Sequence, residues 1–553
     1  VPPTPITVWI LGDQLLEKHP ALTWAEAQVE RSQIRVVLVE SYQRRRLQGY
    51  HRRKIGFLLS AMHDYTKQLR ADGFHAECRM ADSFAQALGD HCREQGTGQV
   101  ATMAASHYAG RHFQQERLAD LLGLPVTVLP NSQFLVERFN PYPNPEPGKR
   151  YVMENFYRAM RRHFDLLMDG DEPVGGEWNY DKQNRKPLPK KHPAPPPLPS
   201  FPPNEDTQAI LARILTEDDA PYVGSLTGFD LAVNRAQALT ALNDFIAHRL
   251  PLFGPYEDAM SHRSRSLFHT RISSLVNIHR LLPSRVVADV AGMRLPLESK
   301  EGFIRQVLGW REFVRHVHKA TDGFRNLPGG KTRIEKTPGD GGYERWAGKP
   351  WGSSKKARGL DGGAAPCALG CDTALPPAYW GEPSGLACLD RVVSDVWAEG
   401  YSHHITRLMI LSNLATLLDV RPRELTDWFW VAYTDAYDWV VEPNVLGMGT
   451  YAVGGLMTTK PYVSGGAYIN RMSDYCSLCS FDPKTNCPFT PLYWAFLARH
   501  EPVFKSNPRL RMPLATLAKR GIDKRTRDQD VFKKVREILE KGSMVTPQDL
   551  PSR

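Results

Sequence analysis

The chain has 553 residues, 42% hydrophobic and 24% charged, which is enough apolar material for more than one buried core; at roughly 100 to 200 residues per domain it holds about three units. It contains no run of about 18 uncharged apolar residues, and its start, VPPTPITVWILGDQ, lacks a basic region followed by a long apolar stretch; this excludes a membrane-spanning helix and leads to the expectation of a soluble, cytoplasmic protein without a secretory signal. Lys+Arg 70 against Asp+Glu 60 gives +10, and residues 499–553, with fourteen Lys/Arg and seven Asp/Glu, supply +7 of it.

In chain order, the run Ile6 to Ile10 precedes Gly12, Asp13 and Gln14, and a second apolar run, Ile34 to Val39, ends at Glu40. Short runs follow near Val100 and at Val126 to Leu129, with helical patterns such as Ile55 to Leu69 between them. This alternation predicts an open α/β sheet that binds ligands at the carboxyl ends of its strands. Asp13 and Glu40 directly follow strands, where a carboxylate either caps the next helix or meets a ligand.

After a helical pattern from Met153 to Met168 the composition shifts to GGEWNYDKQNRK and then to nine prolines between Pro187 and Pro203, which excludes a helix or a central strand. Trp178, Tyr180, Arg185, Lys186, Lys190 and Lys191 make this stretch basic and aromatic. That mix suits stacking and phosphate contacts with single-stranded or distorted nucleic acid, and equally a crossover linker.

From about Asn204 the periodicity is helical. Phe303, Val307, Trp310 and Val314 recur at i, i+4, i+7 and i+11 and predict one buried stripe, with Arg305, Gln306 and Arg311 off it. Similar patterns run through Leu239 to Ile246, Val392 to Leu418 and Leu425 to Val441, interrupted by a Gly-rich insertion between about Pro338 and Pro376. The basic end, 499–553, reads either as a dock for nucleic acid or an acidic membrane surface, or as a solvated, partly disordered tail.

Eight cysteines are too few for a disulfide scaffold, so their spacing matters more than their number. Cys476, Cys479 and Cys487-Pro488 lie close together, and three thiolates at this spacing point to a metal centre. Cys388 or the Cys367/Cys371 pair could supply a fourth ligand; zinc is the alternative to an iron-sulfur cluster. In EGYSHHITRLMILSNL, His403 and His404 start a helix with Arg407 one turn on, and adjacent helical positions point about 100° apart, so at most one imidazole faces a given pocket squarely. Such a histidine can move protons near neutral pH. Trp428, Phe429, Trp430, Tyr433, Asp435, Tyr437, Asp438 and Trp439 crowd the next segment beyond what core packing needs, and tryptophan chains can pass electrons to a redox cofactor.

The ordered motifs ILGDQL, HRRKIGFLLSAM, GGEWNYDKQNRKPLP, FGPYEDAM, EGFIRQVLGWREFVR, SHHITRLMILSNL, DAYDWVVEPNVLGM and TKPYVSGGAYINRMSDYCSLC run from about Ile6 to Leu497. In this order they resemble the prokaryotic (6-4) photolyases, the iron-sulfur branch of the photolyase and cryptochrome superfamily, also called deoxyribodipyrimidine photolyase-related proteins.

The resemblance implies a Rossmann-like α/β antenna domain over 1–135, an interdomain linker and basic loop over 136–205, a helical FAD-binding domain over 206–498 and a basic C-terminal segment over 499–553. It implies a 6,7-dimethyl-8-ribityllumazine antenna at Gly12, Asp13, Gln14, Glu40 and Lys54. It implies FAD at Tyr256, His269, Ser273, Ser274, Gln306, Arg311, Asn413, Asp435 and Asp438. A 4Fe-4S cluster would sit on Cys388, Cys476, Cys479 and Cys487, while Cys367 and Cys371 have no counterpart. Trp428 would relay electrons next to the flavin and Trp380 farther out, and Phe429 stands where relatives commonly have tyrosine. The implied activity is light-driven repair of a (6-4) pyrimidine-pyrimidone lesion flipped out of UV-damaged double-stranded DNA, by a monomer. His403 and His404 would move the proton, Tyr462 and Met448 would wall the pocket, and Tyr180, Arg185 and Lys186 would hold DNA. The rival readings are a cryptochrome-like photoreceptor of the same branch and a cyclobutane-dimer photolyase.

Overall fold

The computed structural model describes residues 4–143, 150–189, 191–192, 194–217, 221–336, 345–346, 349–350 and 361–551. About half of the Gly-rich insertion, as well as Lys190, lies outside them. Among the described residues no helix is long and apolar enough to cross a membrane.

The N-terminal region is a parallel five-stranded sheet of β1 (Ile6–Ile10), β2 (Ile34–Ser41), β3 (His75–Ala81), β4 (Gln99–Met103) and β5 (Val126–Leu129), in the order β3-β2-β1-β4-β5. Alternation along the strands splits its residues between two layers. Val8, Ile10, Val36 and Leu38 join the main core, whereas Trp9, Val37 and Val39 pack with Ala87 and Leu88 on the other face. The sequence reading missed β3. HAECRMA is a half-exposed edge strand whose Arg79 pairs with Glu77 and Glu94, so it carries little apolar signal. The order reverses between β1 and β4, which puts the loops after Ile10 and Met103 at the crevice where open sheets bind ligands.

The rest is mostly helical, and several helices differ from their sequence patterns. Val392 to Leu418 is not one helix. Ala387–Glu399 ends at Gly400, whose φ of 62° is a left-handed C-cap, and a new helix begins at His404. The segment 297–321 is one continuous helix with a π turn at Arg305–Arg311. Phe303 and Val314 of the predicted stripe are buried in the main core, which the stripe shares with a cavity. Val307 and Trp310 are half-buried and the whole stripe lines a cavity.

The basic end is not a loose tail. Helix Ile522–Glu540 buries Val531, Phe532, Val535 and Leu539, and Arg499 at the end of helix Phe489–Arg499 lies 3.5 Å over the Phe532 ring. The proline-rich stretch is tied down as well. Lys186 N donates to Pro255 O at 3.0 Å and Arg249 to Pro197 O at 2.9 Å.

Candidate active site

The helical region encloses a cavity of about 860 Å³, within the range of cofactor and ligand sites. Its base is an ion pair. Arg407 donates to both oxygens of Asp435 at 3.0 and 2.9 Å, Ser273 donates to the same carboxylate at 2.7 Å, and the guanidinium stacks 4.1 Å over the Tyr433 ring. Arg407 and these hydrogen bonds hold the Asp435 pKa down against the opposing effect of burial. The π turn forms another wall. The extra residue per turn rotates Gln306 and Arg311 onto the same side as Val307 and Trp310, so residues expected off the stripe share the cavity with it.

His269, His403 and His404 form the third wall, with one ring nitrogen of each within 4.8 Å of the others. His403 is extended, at φ −73° and ψ 165°, as the N-cap residue preceding the helix. The 100° helical spacing therefore does not apply to His403 and His404, and both imidazoles reach the cavity. His403 stacks on His269 at 4.4 Å and 9°, and its Nδ1 is buried without a partner. Burial lowers the His403 and His269 pKa values well below the usual histidine range, and neighbouring positive charge adds to this. His404 is lowered to about 4 by enclosure, Arg407 and Arg305, although 41% of its side chain reaches open cavity space.

Facing His404 is an acid pair that the sequence reading did not single out. Glu257 Oε1 and Asp258 Oδ1 lie 4.0 and 3.9 Å from His404 Nε2. Burial raises Glu257 to about 8 and Asp258 to about 6. Glu257 accepts from Gln306 at 2.6 Å and Asn184 at 2.8 Å. Its neighbours come from distant segments, so only the motif FGPYEDAM could have drawn attention to it. Lys460, Arg471 and Arg509 line the same cavity with Arg185, Tyr462 and Met448, and they too went unread.

Several expected residues stand off the cavity. Tyr256 packs on Phe268 at 5.5 Å, and Ser274 bonds Thr434 at 2.8 Å. Asn413 braces the wall by accepting from Ser464 N at 3.0 Å. Asp438 does not line the cavity; its carboxylate accepts from Tyr108 N at 2.8 Å and Trp439 N at 2.7 Å, at the contact with the sheet region. Trp428 is fully buried, 6.1 Å from Tyr433, whose hydroxyl meets Ser402 of the cavity wall at 2.8 Å. Trp397 connects Trp428 to Trp380, at 6.1 and 5.4 Å. Among the loop residues, Tyr180 N bonds Glu301 at 3.1 Å and the Lys186 side chain is exposed. The faces of Trp178 are covered by Arg158, Arg161 and Arg162 at 4.6 to 5.2 Å, so its ring is not presented for base stacking.

At the sheet crevice, Asp13 accepts from Ser106 Oγ at 2.6 Å and Gln14 donates to Met103 O and Ala104 O, leaving Gln14 Oε1 buried without a partner. A Cβ on Gly12 would sit 2.8 Å from Met62 Sδ. Lys54 bridges the two regions by donating to Trp430 O and Ala436 O at 2.6 Å, 4.9 Å from the Tyr50 ring and 5.5 Å from Tyr437. Burial lowers its pKa well below the usual lysine value. Glu40 is turned to other partners, His63 at 2.5 Å and Arg213 at 2.8 Å.

Cys388 opens helix Ala387–Glu399, and Cys476, Cys479 and Cys487 flank a loop that Asp482 closes by accepting from Lys484 N and Thr485 N at 2.9 and 2.8 Å. Burial raises the Cys388 pKa, and the other three thiols add repulsion; Cys476 rises to about 11 and Cys487 to about 12.

A family model described as deoxyribodipyrimidine photo-lyase-related protein matches residues 8–231. A (6-4) photolyase of Agrobacterium fabrum is 34% identical over 543 residues, 94% of this chain and 96% of that protein. Among solved structures, a bacterial class III photolyase from Agrobacterium tumefaciens has a TM-score of 0.52 at 15% identity, covering 100% of this chain and 94% of that one. A Synechocystis cryptochrome has a TM-score of 0.50 at 14% identity, with coverages of 81% and 83%. The fold is that of the photolyases and cryptochromes. Within that class, the chain belongs to the deoxyribodipyrimidine photolyase-related family.

Proposed function

We propose that the protein is a DNA photolyase that repairs (6-4) pyrimidine-pyrimidone photoproducts in UV-damaged duplex DNA. The observation that carries this reading is the position of His403 and His404, both on the cavity and beside an acid pair with raised pKa values. A cyclobutane-dimer enzyme needs no such proton donor.

The cavity fits FAD in volume and in chemistry: it has an orphaned buried His403 Nδ1, hydroxyl and amide groups at Ser273 and Gln306, and cations at Arg311 and Arg407. When bound, FAD supplies light-driven one-electron chemistry. The chain's own residues do the rest. His404 reaches the open space and, as a neutral imidazole, would relay to the lesion a proton from Glu257, which stays protonated below about pH 8 and lies 4.0 Å from the imidazole. His403, packed on His269, fixes the rotation of this pair. Arg185, Lys460, Arg471 and Arg509 would hold phosphates at the mouth, with Tyr462 and Met448 against the flipped bases. Tyr180 and Lys186 would extend that contact along the loop.

We further propose a 4Fe-4S cluster on Cys388, Cys476, Cys479 and Cys487. Their mutual repulsion as thiolates supports a cationic guest. Among the described residues, no three of these four sulfurs all lie within 4.8 Å of one another. A lone tetrahedral zinc with Zn–S of about 2.3 Å would draw its sulfurs to about 3.8 Å apart. The lumazine antenna is proposed at the sheet crevice, where Asp13, the unpartnered Gln14 Oε1 and Lys54 would hold it. In this reading residues 1–135 carry the antenna, 136–205 the linker and loop, 206–498 the catalytic region and 499–553 a basic segment, in a cytoplasmic monomer.

The test is blue-light repair by the reduced protein of a duplex bearing one (6-4) lesion, beside a cyclobutane-dimer duplex and a dark control. Light-dependent loss of the (6-4) lesion alone is expected. No repair by protein that holds FAD and iron would overturn the reading.

A further inference from the structure

Cys367 and Cys371 belong to neither the cavity nor the four-cysteine group. They flank a tight turn, Cys367-Ala-Leu-Gly-Cys371, in which Gly370 N donates to Cys367 O at 3.2 Å and Gly370 takes a φ of 67°, a left-handed conformation that suits glycine. The turn folds the chain back so that Cys371 N donates to Cys367 Sγ at 3.0 Å. The Cys367 thiol in turn donates to Cys371 O at 3.7 Å, so the sulfur of Cys367 lies against the Cys371 backbone. Both cysteines are half-buried, so a small reagent can reach them.

The two sulfurs are not equivalent. The Cys371 N–H on Cys367 Sγ favours a thiolate there, and the adjacent Cys371 thiol lowers the Cys367 pKa in the same direction. Cys371 is held in the thiol form by the neighbouring Cys367 sulfur, by burial and by nearby Asp419. Cys78, by contrast, is raised by burial and by Glu40.

We propose that Cys367 and Cys371 form a thiol–disulfide exchange site, with Cys367 as the attacking sulfur, Cys371 as the resolving sulfur and a low-molecular-weight disulfide of the glutathione type as co-substrate. The Cys367 thiolate attacks one sulfur of the co-substrate. A mixed disulfide forms, the co-substrate S–S bond breaks and one small thiolate leaves. Cys371 then loses its proton to solvent and attacks Cys367 Sγ, so the internal disulfide forms and the second small thiolate leaves. The two protein thiols are oxidised by two electrons, and these reduce one small disulfide to two thiols.

The turn is connected to the joint with the C-terminal helices. Thr373 N donates to Asp419 O at 3.0 Å and Arg421 N to Thr373 O at 2.9 Å, and the Asp419 carboxylate holds Arg499 at 2.8 Å and His500 at 3.0 Å. The exchange site therefore sits where the inserted segment meets the catalytic region.

The holoprotein would be exposed to oxidised glutathione, quenched in acid, alkylated and sequenced by peptide mass spectrometry. The wild type should lose two hydrogens at the Cys367/Cys371 pair and regain them in reduced glutathione. Cys371→Ser should trap a glutathione adduct on Cys367, whereas Cys367→Ser should leave Cys371 at least tenfold less modified. Equal adducts in the two variants, or a wild-type pair that stays reduced while Cys476 or Cys479 reacts, would overturn the proposal. Unchanged iron content and circular dichroism verify the folding of the variants, and the wild-type readout stands without them.

Discussion

Trp397 and Trp428 donate their indole N–H groups to one acceptor, the Tyr379 carbonyl, each at 3.0 Å, with ring centroids 6.1 Å apart. The shared oxygen locks both rings, and Trp397 in turn stacks on Trp380 at 5.4 Å and 21°. Trp380 and Trp397 border a surface cleft of about 590 Å³. Phe429 also lies 5.2 Å from Trp428, but a phenyl ring is much harder to oxidise than an indole. In flavin-loaded protein, Trp397→Phe should slow blue-light flavin reduction by an external thiol at least tenfold, and adding Phe429→Tyr should restore part of it. The flavin absorbance in steady illumination reads both, and an unchanged rate in Trp397→Phe would mean that the electrons take another path.

For the histidine pair, His404→Ala should reduce (6-4) repair at least a hundredfold, within the range of a lost general acid, while duplex affinity stays within about threefold. His403→Ala should cost less, since its ring is stacked on His269. Repair yield per photon and a gel-shift titration separate chemistry from binding.

Glu257 makes a pH prediction. Its carboxyl is raised from 4.5 to about 8, so the folded protein holds a proton that the unfolded chain has released. That contribution to stability is full below about pH 4.5 and is lost as pH rises toward 8. His403 and His269 have lowered values, so their contribution is full above 6.5 and falls as pH drops below it. Glu257→Gln should flatten the alkaline limb of a melting-temperature profile and leave the acid limb in place.

Breaking the pair at the cavity base should be costly. Arg407→Ala leaves the Asp435 carboxylate, 6% exposed, without its guanidinium. The expected loss is about 3 kcal/mol, read from the urea unfolding midpoint, and Asp435→Asn in the same background should recover part of it.

Cys388→Ser should lower bound iron to below a quarter of the wild-type content and destabilise the segment from Gly466 to Arg499, because Cys388 is the only distant member of the set. Iron analysis with limited proteolysis checks both. Full iron retention in Cys388→Ser would argue for a different fourth ligand.

Much of this protein is legible from local pattern. The runs Ile6 to Ile10, Ile34 to Val39 and Val126 to Leu129 became strands, because an apolar run bounded by turns has few other stable outcomes. The ordered motifs led to the family. A period read in one segment does not determine what that segment faces. The π turn at Arg305–Arg311 brings Gln306 and Arg311 to the same cavity as the predicted stripe, and the break at Gly400 lets two adjacent histidines share one pocket. Glu257 acquires its raised pKa by burial, against the opposing effect of Arg305 and Asn184, and Trp397 acquires its place by meeting Trp380 and Trp428. Backbone hydrogen bonding and side-chain period are properties of neighbours in sequence and can be read there. Desolvation, ring stacking and cavity lining are sums over segments brought together only by folding, and so the tertiary structure alone decided them.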